Sequence, residues 1–214
     1  CNREGGMGGC DIYYSIHEGD GWSQAINAGS PLNTKHWETC PSFSPTGDEI
    51  YFASNRPGGV GKADIWKCKV QILPNGKLKF SEAVNLGKEV NSPEDEHSPF
   101  IHADNQTLYF SSKGREGLGG YDVFVTYKTP DKKWTTPINI GYPINTCQDE
   151  VGFIVNATAD KAYFSSDGQE DNGRGRDIYE LQLAEGNFRP KKKMKYATLE
   201  LAMFFILRKK YDGF

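Results

Sequence analysis

The chain has 214 residues, a formal net charge of −3 and a pI near 5.9, so it lacks the basic excess with which proteins neutralise nucleic-acid phosphates. Nucleic acid is therefore excluded as an expected partner. Aromatic residues make up 13% of the chain and glycines number 24, a composition typical of many short strands joined by tight turns.

A long repeat runs through the chain. In each copy an aromatic residue is followed by Asn-x-Gly, a second Asn and a Glu, and then, 29 residues after the aromatic, by a Tyr-Phe pair. The copies begin at Trp22, Phe80 and Trp134 and reach the pair at Tyr51, Tyr109 and Tyr163. A Gly-rich loop and an Asp follow, and the Asp recurs every 53 to 58 residues. This period predicts an array of similar structural units.

One unit, residues 38–91, shows what each copy builds. Segments of alternating polar and apolar residues at 41–44, 49–54 and 64–70 are separated by turns or loops rich in Pro and Gly, and a last segment begins at Phe80. These features predict four short antiparallel strands in a meander. Because one meander has two apolar faces, the copies are expected to stack face to face as the blades of a β-propeller.

The predicted fold class is all-β, a partial β-propeller of four-stranded antiparallel blades, with about three to four blades over residues 1–188. A partial blade and three further blades are placed at 1–33, 38–91, 96–145 and 150–188. Closed rings usually have about four to eight blades, so either more blades are expected upstream or separate fragments are expected to associate. Cys1 aligns with Ser54, which predicts that the chain begins inside a repeat as a piece of a longer polypeptide.

The tail, residues 189–214, matches no repeat position and is expected to be irregular or helical. It joins a basic run at 191–195 to an apolar stretch at 199–207, which is shorter than the roughly 18 apolar residues that span a bilayer. A strand of a following domain, non-native sequence and a helix lying on a membrane surface are the alternatives.

Several segments of the repeat resemble a known family. They include Pro-Ser-Phe-Ser-Pro-Thr-Gly-Asp-Glu-Ile-Tyr-Phe-Ala-Ser-Asn-Arg-Pro-Gly-Gly at 41–59, Ala-Asp-Ile-Trp at 63–66, Leu-Tyr-Phe-Ser-Ser at 108–112 and Gly-Gly-Tyr-Asp-Val-Phe at 119–124. These are similar to the TolB-type, WD-repeat-like β-propeller repeat of large OmpA-family cell-envelope proteins from Bacteroidetes-like bacteria. The resemblance covers about residues 1–188.

The resemblance implies a protein at the periplasmic face of the outer membrane, with other cell-envelope proteins as partners. In that family the propeller is typically joined to a regulatory-type β-sandwich and a C-terminal OmpA-like domain that binds peptidoglycan. No OmpA-like segment is found in this sequence, so peptidoglycan binding is not transferred to any of its residues. Association with the membrane is expected through other domains or partners rather than through this segment.

Acidic residues lie where the innermost strand of each blade is expected to begin. They are Glu38, Asp95, Glu96, Asp149 and Glu150. In a propeller these positions ring the axial channel, where carboxylates hold a cation, a basic peptide or ordered water. Paired acids also serve glycoside cleavage, but an acid copied in every blade is typical of architecture. The structural interpretation is preferred, with a binding site in the axial channel as the functional alternative.

A second set of repeated residues is interpreted as structural. An Asp just after a Gly-rich turn accepts backbone N–H bonds and fixes the start of a strand, and the Asn of Asn-x-Gly recurs in the same register. The set is Asp11, Asp64, Asp122, Asp177, Asn27, Asn85 and Asn139.

No cofactor or metal is expected. Residues 167–177 are rich in oxygen ligands, but Gly173 and Ile178 depart from the EF-hand pattern, so bound calcium is only an alternative. The loop at 58–62 lacks the residues of a phosphate-binding Walker A motif. The four histidines, at 17, 36, 97 and 102, show no metal-ligand spacing and are expected to be surface residues.

Five cysteines stand at positions 1, 10, 40, 68 and 147, with no C-x-x-C pair and an odd count that cannot close completely into disulfides. Cys10 and Cys40 occupy repeat positions held elsewhere by Ala63 and Ser98. Both are therefore expected to be small packing residues rather than parts of a disulfide framework.

Residue arrangements typical of catalysis are missing from the sequence. There is no Gly-x-Ser-x-Gly elbow, no Ser, His and Asp in a known order and no context for a nucleophilic Cys. The chain is therefore expected not to be an enzyme. The predicted function is a non-catalytic scaffold for protein–protein interaction in an outer-membrane-associated OmpA-family protein. A glycan-binding or substrate-gating propeller of a secreted hydrolase is the alternative.

Overall fold

The computed structural model describes residues 3–167 and 175–183, and in these residues the chain is all-β, with sixteen strands and no helix. In chain order the strands are β1 (Tyr13–Tyr14), β2 (His17–Glu18), β3 (Gly21–Trp22), β4 (Ile26–Asn27), β5 (Glu38–Phe43), β6 (Glu49–Ser54), β7 (Asp64–Ile72), β8 (Leu78–Phe80), β9 (Val84–Asn85), β10 (Glu96–Ile101), β11 (Thr107–Ser112), β12 (Asp122–Tyr127), β13 (Ile138–Asn139), β14 (Glu150–Val155), β15 (Lys161–Ser166) and β16 (Asp177–Gln182). Over this part of the chain, no helical segment has the length and apolarity that crossing a bilayer requires.

Three antiparallel sheets follow one another along the chain. The first blade joins β5, β6 and β7 in order, with β8 and β9 both paired to β7. The second blade joins β10, β11, β12 and β13, and the third joins β14, β15 and β16. Ahead of them lies a partial blade, in which β1 pairs with β4 and β2 forms a hairpin with β3. Strands that are neighbours in sequence thus pair as meanders.

Apolar clusters lie between successive sheets, because neighbouring residues of a strand point to opposite faces. In β6, Ile50 and Phe52 pack with Leu32 of the partial blade, whereas Tyr51 packs with Leu108 of the second blade. A third cluster lies between the second and third blades. Sheets that bury both faces against their neighbours in this way are propeller blades, and the predicted all-β propeller fold is confirmed.

The inner strand of each blade contains a β-bulge in its first half, where the pairing register shifts in β5, β10 and β14. The residue at the bulge has a positive φ, of 52° at Cys40, 49° at Ser98 and 68° at Gly152. Glycine adopts this conformation freely, whereas a residue with a side chain is strained in it by about 1 kcal/mol. The bulges re-aim the side chains at the start of each inner strand.

Glycines in the long loops allow each loop to pack against the segment that leads into the next blade. A Cβ on Gly8 would lie 1.9 Å from the carbonyl oxygen of His36, and one on Gly61 would lie 2.2 Å from that of Ser92. No side chain fits at these distances, so the loops need glycine for this close approach. The predicted tail at 189–214 lies outside the described residues.

Candidate functional site

The long loops between the second and third strands emerge at one end of the blade array, which we call the loop end. In the first blade, Glu38 and Asp64 both lie at this end, and loop 55–63 leads to Asp64. The next blade starts at the same end, because the N–H of Glu96 donates to the carbonyl of Ala63 at 2.8 Å. The acidic residues predicted from the sequence are gathered here.

Glu96 shows how the repeated glutamates are held. Its carboxylate accepts the N–H of Ser92 at 2.8 Å, the hydroxyl of Ser92 at 2.6 Å and the hydroxyl of Ser112 at 2.7 Å. The equivalent sets are Glu38 with Thr34 and Ser54, and Glu150 with Thr146 and Ser166. Each glutamate thus ties the segment that enters its blade to the second strand of that blade.

All three glutamates are buried, with at most 1% of each residue exposed. Burial raises the pKa of Glu96, and the hydrogen bonds from Ser92 and Ser112 oppose this rise. Because the carboxylates of Glu38, Glu96 and Glu150 face protein donors rather than solvent, they fit the structural interpretation. The alternative role in binding a ligand within an axial channel does not suit these three residues.

Asp95 and Asp149, which precede two of the glutamates, are only half-buried. Asp149 accepts the N–H of Tyr121 at 2.9 Å and forms an ion pair of 2.9 Å with Arg176. These two carboxylates remain accessible from the loop end, and a ligand-binding role for them stays a prediction.

The repeated Asp residues close the Gly-rich loops. Asp64 accepts the N–H groups of Val60 and, at 3.0 Å, of Gly61, together with the side-chain amide of Asn85 at 2.9 Å. The equivalent bonds of Asp11 come from Met7, Gly8 and Asn27. A carboxylate that accepts successive backbone N–H groups fixes the loop before the third strand begins.

Asp122 differs from these two counterparts. It accepts the N–H groups of Leu118 at 2.9 Å and Gly119 at 3.2 Å, but its buried Oδ1 has no hydrogen-bond partner among the described residues. Burial raises the pKa of Asp122 against those backbone bonds, and the charge of Glu150 adds to the rise. The fourth copy, Asp177, is exposed.

Pairs of asparagines connect these Asp residues to the blade. Asn85 accepts the N–H of Gly87 at 2.8 Å and the side-chain amide of Asn91 at 2.9 Å, and Asn91 bonds both backbone groups of Ile65, at 2.8 and 3.1 Å. The equivalent residues are Asn27, Asn33 and Ile12, and Asn139, Asn145 and Val123. The second Asn of each pair was not among the candidate residues, although its place in the repeat indicates it.

The tips of the Gly-rich loops expose apolar side chains. Met7, Val60 and Leu118 occupy the same repeat position, four residues before the Asp, and 45%, 41% and 57% of each residue is exposed. We call these three residues the loop-tip row. The N–H of each tip donates to the Asp of its own loop, so the backbone under each exposed side chain is fixed.

A Cys–His contact joins the inner strands of the first two blades near the loop end. Sγ of Cys40 lies 3.7 Å from Nδ1 and 3.8 Å from Nε2 of His97, and the hydroxyl of Ser98 donates to the same sulfur at 3.7 Å. The sequence does not indicate this contact, because Cys40 and His97 are 57 positions apart and show no recognisable spacing.

Two predictions about Cys and His residues are wrong. Cys10 is disulfide-bonded rather than a packing residue. Its alignment with Ala63 shows only that a small side chain fits at this position and does not indicate whether a cysteine there forms a disulfide. His102 is buried, with 2% exposed, since its hairpin packs against the third blade. Its Nδ1 lies 3.3 Å from the backbone nitrogen and 3.5 Å from Oδ1 of Asp104, and its Nε2 lies 3.1 Å from the carbonyl oxygen of Asn156.

Over residues 3–167 and 175–183, no group of three or more His, Cys, Asp or Glu side chains is placed to hold a metal ion. The middle of the oxygen-rich loop, residues 168–174, lies outside this range. The alternative of a calcium site in that loop therefore stays a prediction.

No protein-family model matches the chain, and no curated protein is found to be similar to it. Solved structures that are similar include TolB from Acinetobacter baumannii, at a TM-score of 0.41 and 10% identity, covering 79% of this chain and 46% of that one. An α-L-arabinofuranosidase from Lactobacillus brevis has a TM-score of 0.44 and 17% identity, covering 74% of this chain and 52% of that one. Trypanosoma rangeli sialidase has a TM-score of 0.39 and 11% identity, covering 78% of this chain and 30% of that one.

The chain thus spans about half or less of the length of these three solved structures. At such TM-scores the similarities do not indicate which activity or partner the chain has. The fold rests on the packing of the blades described above.

Proposed function

We propose that the chain is a non-catalytic β-propeller scaffold that binds other proteins through its loop end. The observation that supports this most is the loop-tip row, in which three apolar side chains stand exposed at one repeat position. Single exposed apolar residues are ordinary on protein surfaces. Their recurrence at the tips of similar loops, all at one end of the blades, is typical of a contact surface.

The loop tips suit binding because they are held before a partner arrives. The carboxylates of Asp11, Asp64 and Asp122 accept the backbone N–H groups of the tips. A surface that is already ordered loses less conformational entropy on association. Polar groups such as the exposed ion pair of Lys62 and Glu94 lie beside the row, as in the rim of a protein interface.

The expected setting is the periplasmic face of an outer membrane, with proteins of the cell envelope as partners. This part of the proposal rests on the resemblance of residues 1–188 to the propeller repeat of OmpA-family envelope proteins. Membrane association would come from other domains or partners.

The proposal is tested by immobilising the chain and exposing it to a bacterial envelope extract. A triple variant, Met7→Ser, Val60→Ser and Leu118→Ser, removes the loop-tip row. A matched control, Ile72→Ser and Val84→Ser, removes two apolar residues that are similarly exposed on β7 and β9, at 55% and 56%. We expect the wild type and the control to recover the same protein and the triple variant to lose it. Recovery of no protein, or equal recovery by all three, would contradict the proposal.

A glycan-binding propeller of a secreted hydrolase is the second candidate. The observation that favours it is Tyr142, which follows Gly141 and is 77% exposed, leaving an aromatic face free for stacking on a sugar ring. Glycan binding that is lost in Tyr142→Ala but kept in the loop-tip variant would support this function. Hydrolysis of glycans or peptides by the chain itself would overturn the non-catalytic scaffold.

A further inference from the structure

Arg56 fixes the segment that enters the first blade. Its guanidinium donates to the carbonyl oxygen of Pro31 at 3.3 Å and to that of Leu32, and it forms an ion pair of 3.1 Å with Glu38. A guanidinium is suited to this place because its planar fork of N–H groups donates to several acceptors at once.

Two aromatic rings lie against the same guanidinium. Phe52 and Trp66 are cross-strand neighbours in β6 and β7, and Cζ of Arg56 lies 4.9 Å and 5.5 Å from the centres of their rings. A cation over an aromatic face is attracted by the negative face of the ring. The first blade therefore holds its arginine with two carbonyl oxygens, one carboxylate and two rings.

The second blade holds an arginine in a similar way. Arg115 donates to the carbonyl oxygens of Glu89 and Val90 at 2.7 and 2.9 Å, the equivalents of the two carbonyls that Arg56 binds. Burial raises the pKa of Glu96, and the charge of Arg115 is among the influences that oppose this rise. Both blades thus place a guanidinium on the entering segment and close to the buried glutamate.

The third blade has no arginine at this repeat position. Arg56 stands 18 positions after the glutamate of its blade, and Arg115 stands 19 positions after its own. At the same distances after Glu150 the sequence has Gly168 and Gln169. The loop of the third blade therefore does not supply the guanidinium in the way that the first two loops do.

Arg176, the described arginine of that loop, is held elsewhere. It forms an ion pair of 2.9 Å with Asp149 and one of 3.0 Å with Asp167. It also occupies the repeat position of Ala63 and Tyr121, one residue before the repeated Asp, and not the position of the bound arginines.

The groups that receive a guanidinium are nevertheless kept in the third blade. The turn that presents the carbonyls of Pro143 and Ile144 is closed by a bond of 2.9 Å from the N–H of Asn145 to Gly141, like its counterpart of 2.8 Å in the first blade. Among the described residues, none donates a hydrogen bond to these two carbonyls. Glu150 has its hydroxyl and N–H donors, but no described cation pairs with it.

The aromatic pair is also kept, and it is more exposed. Phe164 and Tyr179 occupy the positions of Phe52 and Trp66, and their rings stack with centroids 5.4 Å apart. Trp66 is 6% exposed beside its guanidinium, whereas Tyr179 is 38% exposed. An aromatic surface is thus accessible at the place where the first blade holds a cation.

We propose that the third blade binds an arginine side chain of a partner protein, at the place where the first two blades hold Arg56 and Arg115. A lysine fits this place less well, because its ammonium is a compact, strongly hydrated charge without the planar fork. The inference rests on the proposed binding of proteins and names the side chain by which a partner is recognised. It concerns a different surface from the loop-tip row.

The test is an NMR titration of the full chain with the peptide acetyl-Gly-Gly-Arg-Gly-Gly-amide, followed at the backbone amide signals of Ile144 and Tyr179. A dissociation constant on the order of 1 mM is expected, because a single side chain makes few contacts. The peptide with citrulline in place of arginine lacks the charge, and the peptide with lysine lacks the fork. Both are expected to bind at least about tenfold more weakly.

Free arginine carries the same guanidinium and separates the two sources of the group. The peptide is expected to bind at least as tightly as free arginine, because its neighbouring peptide groups replace the charged α-amino and α-carboxyl groups. Binding of free arginine about tenfold tighter than the peptide would identify a small-molecule site and overturn the assignment to a partner protein.

Two neighbouring residues of β16 supply matched variants. Tyr179→Ser removes the accessible ring and is expected to weaken binding of the arginine peptide by about three- to tenfold. Ile178→Ser changes a residue that is 64% exposed on the opposite face of the strand, and it should leave binding unchanged. Arg115→Ala uncovers the equivalent carbonyls of the second blade and is expected to add a second site, detected at the amide signal of Val90.

Three results would overturn the proposal: equal binding of the arginine, lysine and citrulline peptides, no shift at about 10 mM peptide, or unchanged binding in folded Tyr179→Ser. Arg174→Ser tests the remaining arginine of the loop, which lies outside the described residues. Binding by this variant but not by the wild type would mean that the chain fills the place itself, which also overturns the proposal.

The outcome is separable from that of the pull-down with envelope extract. Selective binding of the arginine peptide without recovery of an envelope protein would support the guanidinium site and contradict the protein-binding function. Recovery of a protein that depends on the loop-tip row, without any binding of the peptide, would support that function and overturn the site.

Discussion

The two ends of the blades differ in how uniform their residues and hydrogen bonds are from one copy of the repeat to the next. At the loop end the same residue types make the same bonds in successive copies, as with Glu38, Glu96 and Glu150. At the other end, which we call the hairpin end, short turns join the inner strand to the second strand, and the turn of the second blade differs from the other two. Thr46 donates to Asp48 and Thr158 donates to Asp160, at positions that Asp104 and Gln106 hold in the second blade. Asp48 accepts the hydroxyl of Ser44 at 2.8 Å, whereas Asp104 accepts the N–H and hydroxyl of Thr107 at 2.9 and 2.6 Å.

The difference follows from what the bonds connect. Loop-end bonds such as that from the N–H of Glu96 to Ala63 run from one blade to the next, so their geometry has to fit two blades at once. Most of the hairpin-end bonds named above lie within a single turn, and any residues that satisfy the turn are sufficient. The loop end, whose bonds join successive units, is thus more uniform across the copies than the hairpin turns.

The largest loss of stability is expected when the hydrogen-bond network at the loop end is broken. Glu96→Ala leaves the N–H and hydroxyl of Ser92 and the hydroxyl of Ser112 buried without an acceptor. We expect a loss of about 3–5 kcal/mol in the free energy of unfolding, measured by urea denaturation. The control Glu94→Ala, at an exposed neighbouring carboxylate, should leave the urea midpoint almost unchanged. Similar midpoints for the two variants would show that the network is dispensable.

The next largest effect on stability is expected at the hairpin end when the pH is lowered. Burial opposes ionisation of Asp104, but its contacts with His102, Thr107 and Gln106 overcome this and lower the pKa of Asp104 to about 2 from 3.8. The ionised group therefore stabilises the fold above about pH 4, and this contribution is lost as the pH falls towards 2.

The contribution amounts to about 2 kcal/mol. It is measured as the difference in unfolding free energy between the wild type and Asp104→Asn, at pH 5 and at pH 2. We expect the advantage of the wild type to shrink by about that amount at the lower pH. A difference that does not change with pH would place the stabilisation elsewhere.

A smaller effect is expected at the inner-strand bulge, which belongs to every blade but does not need one residue type. Gly152→Ala places a Cβ in open space at a φ of 68°, so the cost is confined to the backbone, about 1 kcal/mol. Gly21→Ala, which also has open space but no positive φ, serves as the control and should be neutral. If Gly152→Ala and Gly21→Ala lower the melting temperature equally, the positive φ at the bulge is not the cause of the loss.

The smallest effect is expected at the loop-tip row. Val60→Ser and Leu118→Ser alter exposed side chains and leave the backbone bonds to Asp64 and Asp122 in place. Unfolding free energies should stay within about 0.5 kcal/mol of the wild type. A larger loss would mean that the tips stabilise the fold, and the binding experiment with the triple variant would then need a different control.

The repeat register was sufficient to predict the blades, because turn residues and alternating patterns recur in each copy. It also contained the explanation of the buried glutamates: hydroxyl residues recur four positions before and sixteen positions after each one, at Thr34 and Ser54 around Glu38, for instance. An acidic residue in a repeat is equally compatible with a channel site until these donors are placed beside it.

Other features depend on how the blades meet and could not be read from the sequence. Cys40 and His97 come together across two inner strands whose bulges re-aim their side chains, and the chain between them is 57 positions long. His102 is buried because its hairpin contacts Asn156 of the third blade, 54 positions away. Repeat alignment describes one unit at a time, whereas these contacts belong to pairs of units.

The backbone bonds between blades have a consequence for how the array opens. The amide protons of Glu38, Glu96 and Glu150 each donate to a carbonyl of the preceding unit, at 2.7, 2.8 and 2.7 Å. Hydrogen exchange at these three amides therefore reports the separation of neighbouring units, whereas exchange within a sheet reports the unfolding of one unit. Comparing the two would give the coupling free energy between adjacent blades, the quantity that decides whether a repeat array unfolds all at once or from one end.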